Sequence, residues 1–223
     1  MLLLVTDTSG KHASVALVRA DREGKPQLME SSPLAGGTFS AQLVPQIASL
    51  LSNHGLSKRN IDAFIVISGP GSFTGLRVGL AAIKALAEIL QKPIVPVSLL
   101  EVIAVASGKS GKVMAALDAG RGEVYLAEHD PADSKQQALE QLMKVEEMPA
   151  SAKRSIVFTP DETLLGKFEE QGIASHALER PGAEWIARVG LQRLQAGLTV
   201  SPELLEANYI RRSDAEIFAK INS

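Results

Sequence analysis

The 223-residue sequence predicts an α/β fold of two similar lobes, and three observations carry that prediction. Short apolar, β-branched runs alternate with longer segments whose apolar residues recur at helical spacing. A glycine-rich string, residues 69–77, stands between one such run at 63–67 and a long apolar segment that follows it. Halfway along, the chain starts again: a run at 113–117, Asp118, a polar turn at 119–122 and a run at 123–128 repeat the opening order of strand, aspartate, tight turn and strand. The expectation is a duplication, with a first lobe over 1–107, a second over 108–223, and a C-terminal segment packing back on the first.

The elements follow in order. Residues 2–6 and 13–19 read as strands joined by the turn Asp7-Thr8-Ser9-Gly10-Lys11, and 27–34 adds a third. Leu43, Val44, Ile47, Leu50 and Leu51 fall at helical spacing, with Pro45 near the start and Gly55 as a stop. The run at 63–67 has the composition of a strand covered on both faces, and the helix after the glycine string ends near Gln91, before Pro93. A buried strand at 94–97 leads into a short helix at 99–106 that Ser98 can cap. Ser107-Gly108-Lys109-Ser110-Gly111 reads as a linker; a phosphate-binding Walker loop needs a glycine where Ile103 stands. In the second half a strand is predicted at 156–159 and helices at 162–170 and 183–195, while the charged segment 131–154 shows no periodicity.

Composition narrows the function. Hydrophobic residues make up 45% of the chain and charged residues 22%, enough to bury a large core. The net charge of -2 gives no long-range pull on phosphate backbones, and adjacent cations occur only in isolated pairs such as Lys58-Arg59 and Arg211-Arg212. With 4% aromatic residues the stacking platforms of single-strand RNA readers are missing too, which points to protein partners. The absence of cysteine excludes disulfides, thiolate metal sites and a cysteine nucleophile. Leu2-Leu3-Leu4-Val5 is too short for a signal-peptide core, and no stretch reaches the length of a membrane span, so the expected compartment is the cytoplasm.

Four groups of residues are candidates for function. Asp7, with Thr8 and Ser9, and Asp118 sit at the two repeated turns; each aspartate either faces a ligand or closes its own turn through nearby amides, and the sequence leaves both readings open. Gly69, Gly71, Ser72 and Thr74 lie at a strand-to-helix corner, where exposed amides can bind an anion or where the glycines serve only the turn. Arg77 stands in the first helical turn, against the helix dipole, and so calls for an acidic partner or an anion. The helix at 78–90 is apolar or small around almost its whole circumference, as a helix with two covered faces would be. Together with its neighbour it is expected to form an oligomer or partner interface through Leu43, Ile47, Leu50, Leu51, Val78, Ala82, Ala85, Leu86 and Ile89.

Duplicated lobes that each open with a hairpin and an aspartate resemble the actin-like superfamily of ATPases and sugar kinases, whose fold is ribonuclease H-like. The string Gly69-Pro70-Gly71-Ser72-Phe73-Thr74-Gly75-Leu76-Arg77 then resembles the signature of the TsaB (YeaZ) family. Supporting strings are Asp7-Thr8-Ser9, Leu43-Val44-Pro45-Gln46-Ile47, Val97-Ser98-Leu99-Leu100-Glu101, Asp118-Ala119-Gly120-Arg121-Gly122-Glu123-Val124-Tyr125 and Tyr209-Ile210-Arg211. Ser40, Gly120 and Ala207 depart from the family pattern, which has histidine, arginine and proline there. The resemblance implies a protein with no catalytic residue or metal of its own. It would pair with the larger homologue TsaD and the small ATPase TsaE to form threonylcarbamoyladenosine on tRNA, and would form a homodimer when alone. Nucleotide, ATP or ADP, would enter only with the assembled complex, and tRNA would be contacted indirectly.

Two other functions fit the sequence less well. A small kinase or ATPase of the same fold usually carries Gly-Gly in the second lobe, whereas the only such pair here is Gly36-Gly37 in the first. A metallopeptidase needs two histidines one helical turn apart; His12, His54, His129 and His176 offer none, with Ser40 and Val44 at the spacing where such a pair would stand. No Gly-x-Ser-x-Gly elbow supports a serine peptidase either.

Overall fold

The computed structural model describes residues 1–35, 39–133 and 138–210. Gly36-Gly37 and Arg211-Arg212 lie outside them.

The first sheet is built from β1 (Leu2–Asp7), β2 (Ser14–Ala20), β3 (Pro26–Pro33), β4 (Ala63–Gly69) and β5 (Ile94–Ser98) in the order β3-β2-β1-β4-β5. β1, β2 and β3 are antiparallel neighbours, while β4 and β5 run parallel to β1. The second sheet is built from β6 (Val113–Gly120), β7 (Glu123–His129), β8 (Gln141–Lys144), β9 (Val157–Thr159) and β10 (Ser175–Ala177). Its order, β8-β7-β6-β9-β10, repeats the first, with the same alternation of antiparallel and parallel pairs. The repeat inferred from two aspartates is thus a repeat of whole sheets, and the fold is the actin-like, ribonuclease H-like one.

Among the described residues five α-helices cover the sheets: α1 (Phe39–Asn53), α2 (Phe73–Leu90), α3 (Leu99–Ala106), α4 (Glu162–Glu170) and α5 (Ala183–Gln195). The central strand β1 is buried along its whole length, and its residues alternate between two cores. Leu2 and Leu4 join Leu43, Ile47, Leu50, Leu80 and Ile83 under α1 and α2, while Leu3 and Val5 face the layer between the sheets. That middle layer is filled by α3 and α5 in crossed positions. α3 closes the first half yet packs on β6 and β7; α5 closes the second half yet packs across β1 to β5. A Cβ at Gly190 would stand 2.5 Å from Ile65 Cδ1, so glycine lets α5 lie close on the sheet. α4 covers the far face of the second sheet with Leu164 and Phe168, both fully buried.

The apolar stripe of α1 differs in role from the expectation. Leu43, Ile47, Leu50 and Leu51 are at most 4% exposed, because α1 has a single apolar face and uses it on β2, β3 and α2. These four residues are core, not partner surface. Pro45 lies on the exposed side of α1, where water can take the place of the missing hydrogen bond, and the helix runs through it. On α2, Val78, Ala82 and Leu86 are half-buried, and Ala81, Ala85 and Ile89 are exposed.

The charged segment 131–154, where no element was expected, supplies β8 and two single 3-10 turns, Val145–Glu147 and Ala152–Arg154. After α5 the chain returns to the first lobe. Val200 N donates to Ile94 O at 2.9 Å, and Asn208 N donates to Ser68 O at 2.8 Å.

Candidate functional site

The two repeated turns face each other across a cleft of about 850 Å³. One wall is made by 9–12 and the start of α2 at 70–73, the other by 117–121 with Asp161 and Thr163; Arg180 and the returning segment 208–210 complete it.

The first wall is held by close packing. Gly71, Gly75 and Gly79 recur every fourth residue and so form one stripe along the start of α2. A Cβ at these positions would collide with Ser9 O, Thr8 O and Thr8 Oγ1 respectively. The helix can rest on the β1–β2 turn only because the stripe is bare. Ser72 N donates to Ser9 O at 2.6 Å, and Ser72 Oγ accepts from Gly75 N at 3.3 Å, capping α2. Gly69 has φ +141°, in the glycine-favoured region, and a side chain there would meet the backbone of Asn208. Packing against two neighbouring chain segments therefore accounts for Gly69, Gly71 and Gly75. Thr74 is exposed and Ser72 borders the cleft.

Asp7 is only 3% exposed and both of its carboxylate oxygens are engaged. Oδ1 accepts from Ser9 N at 2.8 Å and from Ser9 Oγ at 2.5 Å. Oδ2 stands 3.4 Å from Arg180 Nη2, which also donates to Ser9 Oγ at 3.1 Å. Asp7 thus both closes its own turn and pairs with a cation from the other half of the chain, 173 positions away. Thr8 is buried beneath α2.

Asp118 is exposed on the opposite wall. Its Oδ1 accepts from Gly120 N at 3.0 Å and its Oδ2 from Thr163 Oγ1 at 3.4 Å. Asp161 Oδ2 accepts from Asp118 N at 2.7 Å. Asp161 precedes α4 in the sequence pattern of a helix cap, yet its carboxylate makes no cap and ties the two parts of this wall together instead. The cleft therefore carries Asp118, Asp161 and Arg121 on one wall and Lys11 and His12 on the other, with Arg180 completing it. Among the described residues no three His, Asp or Glu side chains are grouped to hold a metal ion.

Arg77 departs from the expectation of an anion. Its guanidinium stacks 3.7 Å from the Phe73 ring centroid, and Nε donates to the Tyr209 hydroxyl at 3.0 Å. The π faces supply the negative potential that the helix dipole does not. Arg180 and Asp161 were missed by sequence reasoning. The only local signals were a charge before Pro181-Gly182 and an aspartate at a helix start.

Two lobes of one topology, with their first turns facing across a cleft, define a protein of the actin-like class. Residues 33–218 match the family model described as TsaD, tRNA N6-adenosine threonylcarbamoyltransferase. The chain belongs to that family and, within it, to the TsaB (YeaZ) group. It is 29% identical to the tRNA threonylcarbamoyladenosine biosynthesis protein TsaB of Escherichia coli, covering 96% of each chain. It is 37% identical to the protein of that name from Haemophilus influenzae over 57% of this chain and 53% of that one. The match to that relative thus spans about half of its length. The solved structure of YeaZ from Pseudomonas aeruginosa superposes with a TM-score of 0.74 at 25% identity, covering 93% of this chain and 99% of that one. No helix among the described residues is long and apolar enough to cross a membrane.

Proposed function

We propose that the chain is a non-catalytic partner in threonylcarbamoyladenosine formation on tRNA. It would dock on a TsaD-type transferase, with a TsaE-type ATPase joining the assembly, and would self-associate when alone. The observation that carries this reading is the Asp7–Arg180 pair. In an actin-like enzyme the first-turn aspartate organises a hydrated cation beside the nucleotide phosphates. Here a guanidinium stands against that carboxylate, and the second oxygen is held by the turn itself. A divalent ion would have to displace an intramolecular cation that is already desolvated with its partner. Nucleotide, ATP or ADP, accordingly belongs to the assembly and not to this chain.

The docking surface in this reading is the outer side of α1 and α2. Among the described residues it is left uncovered, and it presents Val44, 52% exposed, and Ile89, 68% exposed, together with the exposed Ala81 and Ala85. The test is reconstitution with a transferase, ATPase, threonylcarbamoyl-adenylate source and unmodified tRNA. Modification must require this chain, and Ala85→Arg must abolish both complex formation on size exclusion and product. Product formed in the absence of the chain, or an intact complex with the arginine in place, would overturn it.

A further inference from the structure

A second cavity, of about 450 Å³, opens beside the returning C-terminal segment, on the other side of Asn208 from the cleft. We infer that it binds an ammonium or guanidinium group carried on an aliphatic stem, through Glu140 and His129.

The inference rests on which polar groups are already matched. Arg193 Nη1 donates to Glu101 Oε2 at 2.9 Å, so these two charges pair across α5 and α3, while Arg193 Nε makes no hydrogen bond. Glu140, with a side chain 8% exposed, has no such partner. Its oxygens receive only neutral donors, the Ser98 hydroxyl and the Asn208 amide, the latter at 2.6 Å. His129, whose side chain is also 8% exposed, leaves Nε2 without a hydrogen bond, 3.8 Å from Glu140 Oε1. Burial holds this imidazole neutral down to about pH 4, so in its Nδ1–H tautomer the free nitrogen is an acceptor. The cavity therefore offers spare acceptors from Glu140 and His129, and among the described residues its one lining cation, Arg193, is paired with Glu101. An ion with several N–H donors and one positive charge answers both deficits.

Other ligand classes fit worse. An anion would face Glu140 and the exposed Glu206. A metal ion lacks its ligands there: among the described residues no trio of ligating side chains is grouped. The rim adds the stem to the head group: Leu139, 76% exposed, and Leu204, 72% exposed, both border this cavity and are uncovered. The same head group and stem occur in a free alkylamine and in a lysine or arginine side chain of a partner.

The experiment is NMR titration of the full chain, following the His129 ring and the methyls of Leu139 and Leu204. Probes are butylammonium, butylguanidinium, the blocked peptide acetyl-Leu-Lys-Leu-amide, and 1-butanol as the neutral control. Saturable shifts at all three residues with the cations, absent with butanol, are expected, and Glu140→Gln should weaken binding at least tenfold. A peptide binding ten or more times tighter than butylammonium assigns the site to a partner's side chain; equal affinities assign it to a free amine. Equal shifts with butanol, no saturable shift with any cation, or unchanged binding in a folded E140Q variant would overturn the inference.

Discussion

Glu140→Gln should change how stability depends on pH, and the change can be worked from the structure. Burial raises the Glu140 carboxyl from 4.5 to about 7, against the opposing pull of the Ser98 and Asn208 hydrogen bonds. Between pH 4.5 and about 7 the folded state therefore binds a proton that the unfolded state has lost, and stability falls as pH rises. At about 1.4 kcal/mol per unit, the fall is about 3 kcal/mol. His129 acts in the opposite sense: burial lowers it from 6.5 to about 4, with Arg193 adding to the effect. The unfolded state then binds the extra proton between these values, and stability rises with pH by a similar amount. In the wild-type chain the two slopes nearly cancel between pH 4.5 and 6.5. Glutamine can keep both contacts, its carbonyl accepting from Asn208 and its amide donating to Ser98 Oγ. The variant should match wild type near pH 4.5 and exceed it by about 3 kcal/mol at pH 8. His129→Gln should show the mirror image, exceeding wild type only in acid. The assay is urea denaturation from pH 4.5 to 8, read as the difference between variant and wild type. A difference that stays flat across that range for E140Q would refute the reasoning.

Three further outcomes are expected. Gly75→Ala drives a methyl into the Thr8 carbonyl and should destabilise the chain by about 3 kcal/mol, whereas Gly166→Ala, inside α4 with nothing within 4 Å, should stabilise it by about 1 kcal/mol; both are read by urea denaturation. Arg180→Met leaves Asp7 buried without its cation, so thermal unfolding should show a loss of about 2 kcal/mol, and calorimetry with magnesium and ATP should give more heat with the variant than with wild type. Tyr209→Phe removes the acceptor for Arg77 Nε while keeping the ring against Phe73, so stability should change by less than about 1 kcal/mol, whereas Phe73→Ala should cost more.

How much of this was legible in the sequence depends on the range of the interactions. α2, α4 and α5 could be read because their periodicity is local and strong, and the repeat because each copy opens with the same strand, aspartate and turn. β8 and β10 could not: both are short edge strands, Gln141–Lys144 and Ser175–Ala177, with little apolar alternation, and each is fixed by a neighbour that brings the ladder. The stripe Leu43, Ile47, Leu50, Leu51 was visible as apolar, but periodicity does not say whether a stripe faces the chain's own sheet or a partner. At the site, the turn-closing role of Asp7 was among the readings, since Ser9 is two residues away. Its cation was not, because Arg180 arrives from a loop before α5 with no local pattern to mark it.

The crossed placement of α3 and α5 makes the molecule indivisible although its sequence is a doublet. A fragment ending at 107 would carry α3 without β6, β7 and α5, its main supports, and would leave Leu3, Val5, Ile65 and Val95 wet where α5 belongs. The complementary fragment would have the reverse defect. Neither half is a lobe that can be borrowed, swapped or lost, and nicked halves expressed together should recover a soluble pair that neither yields by itself.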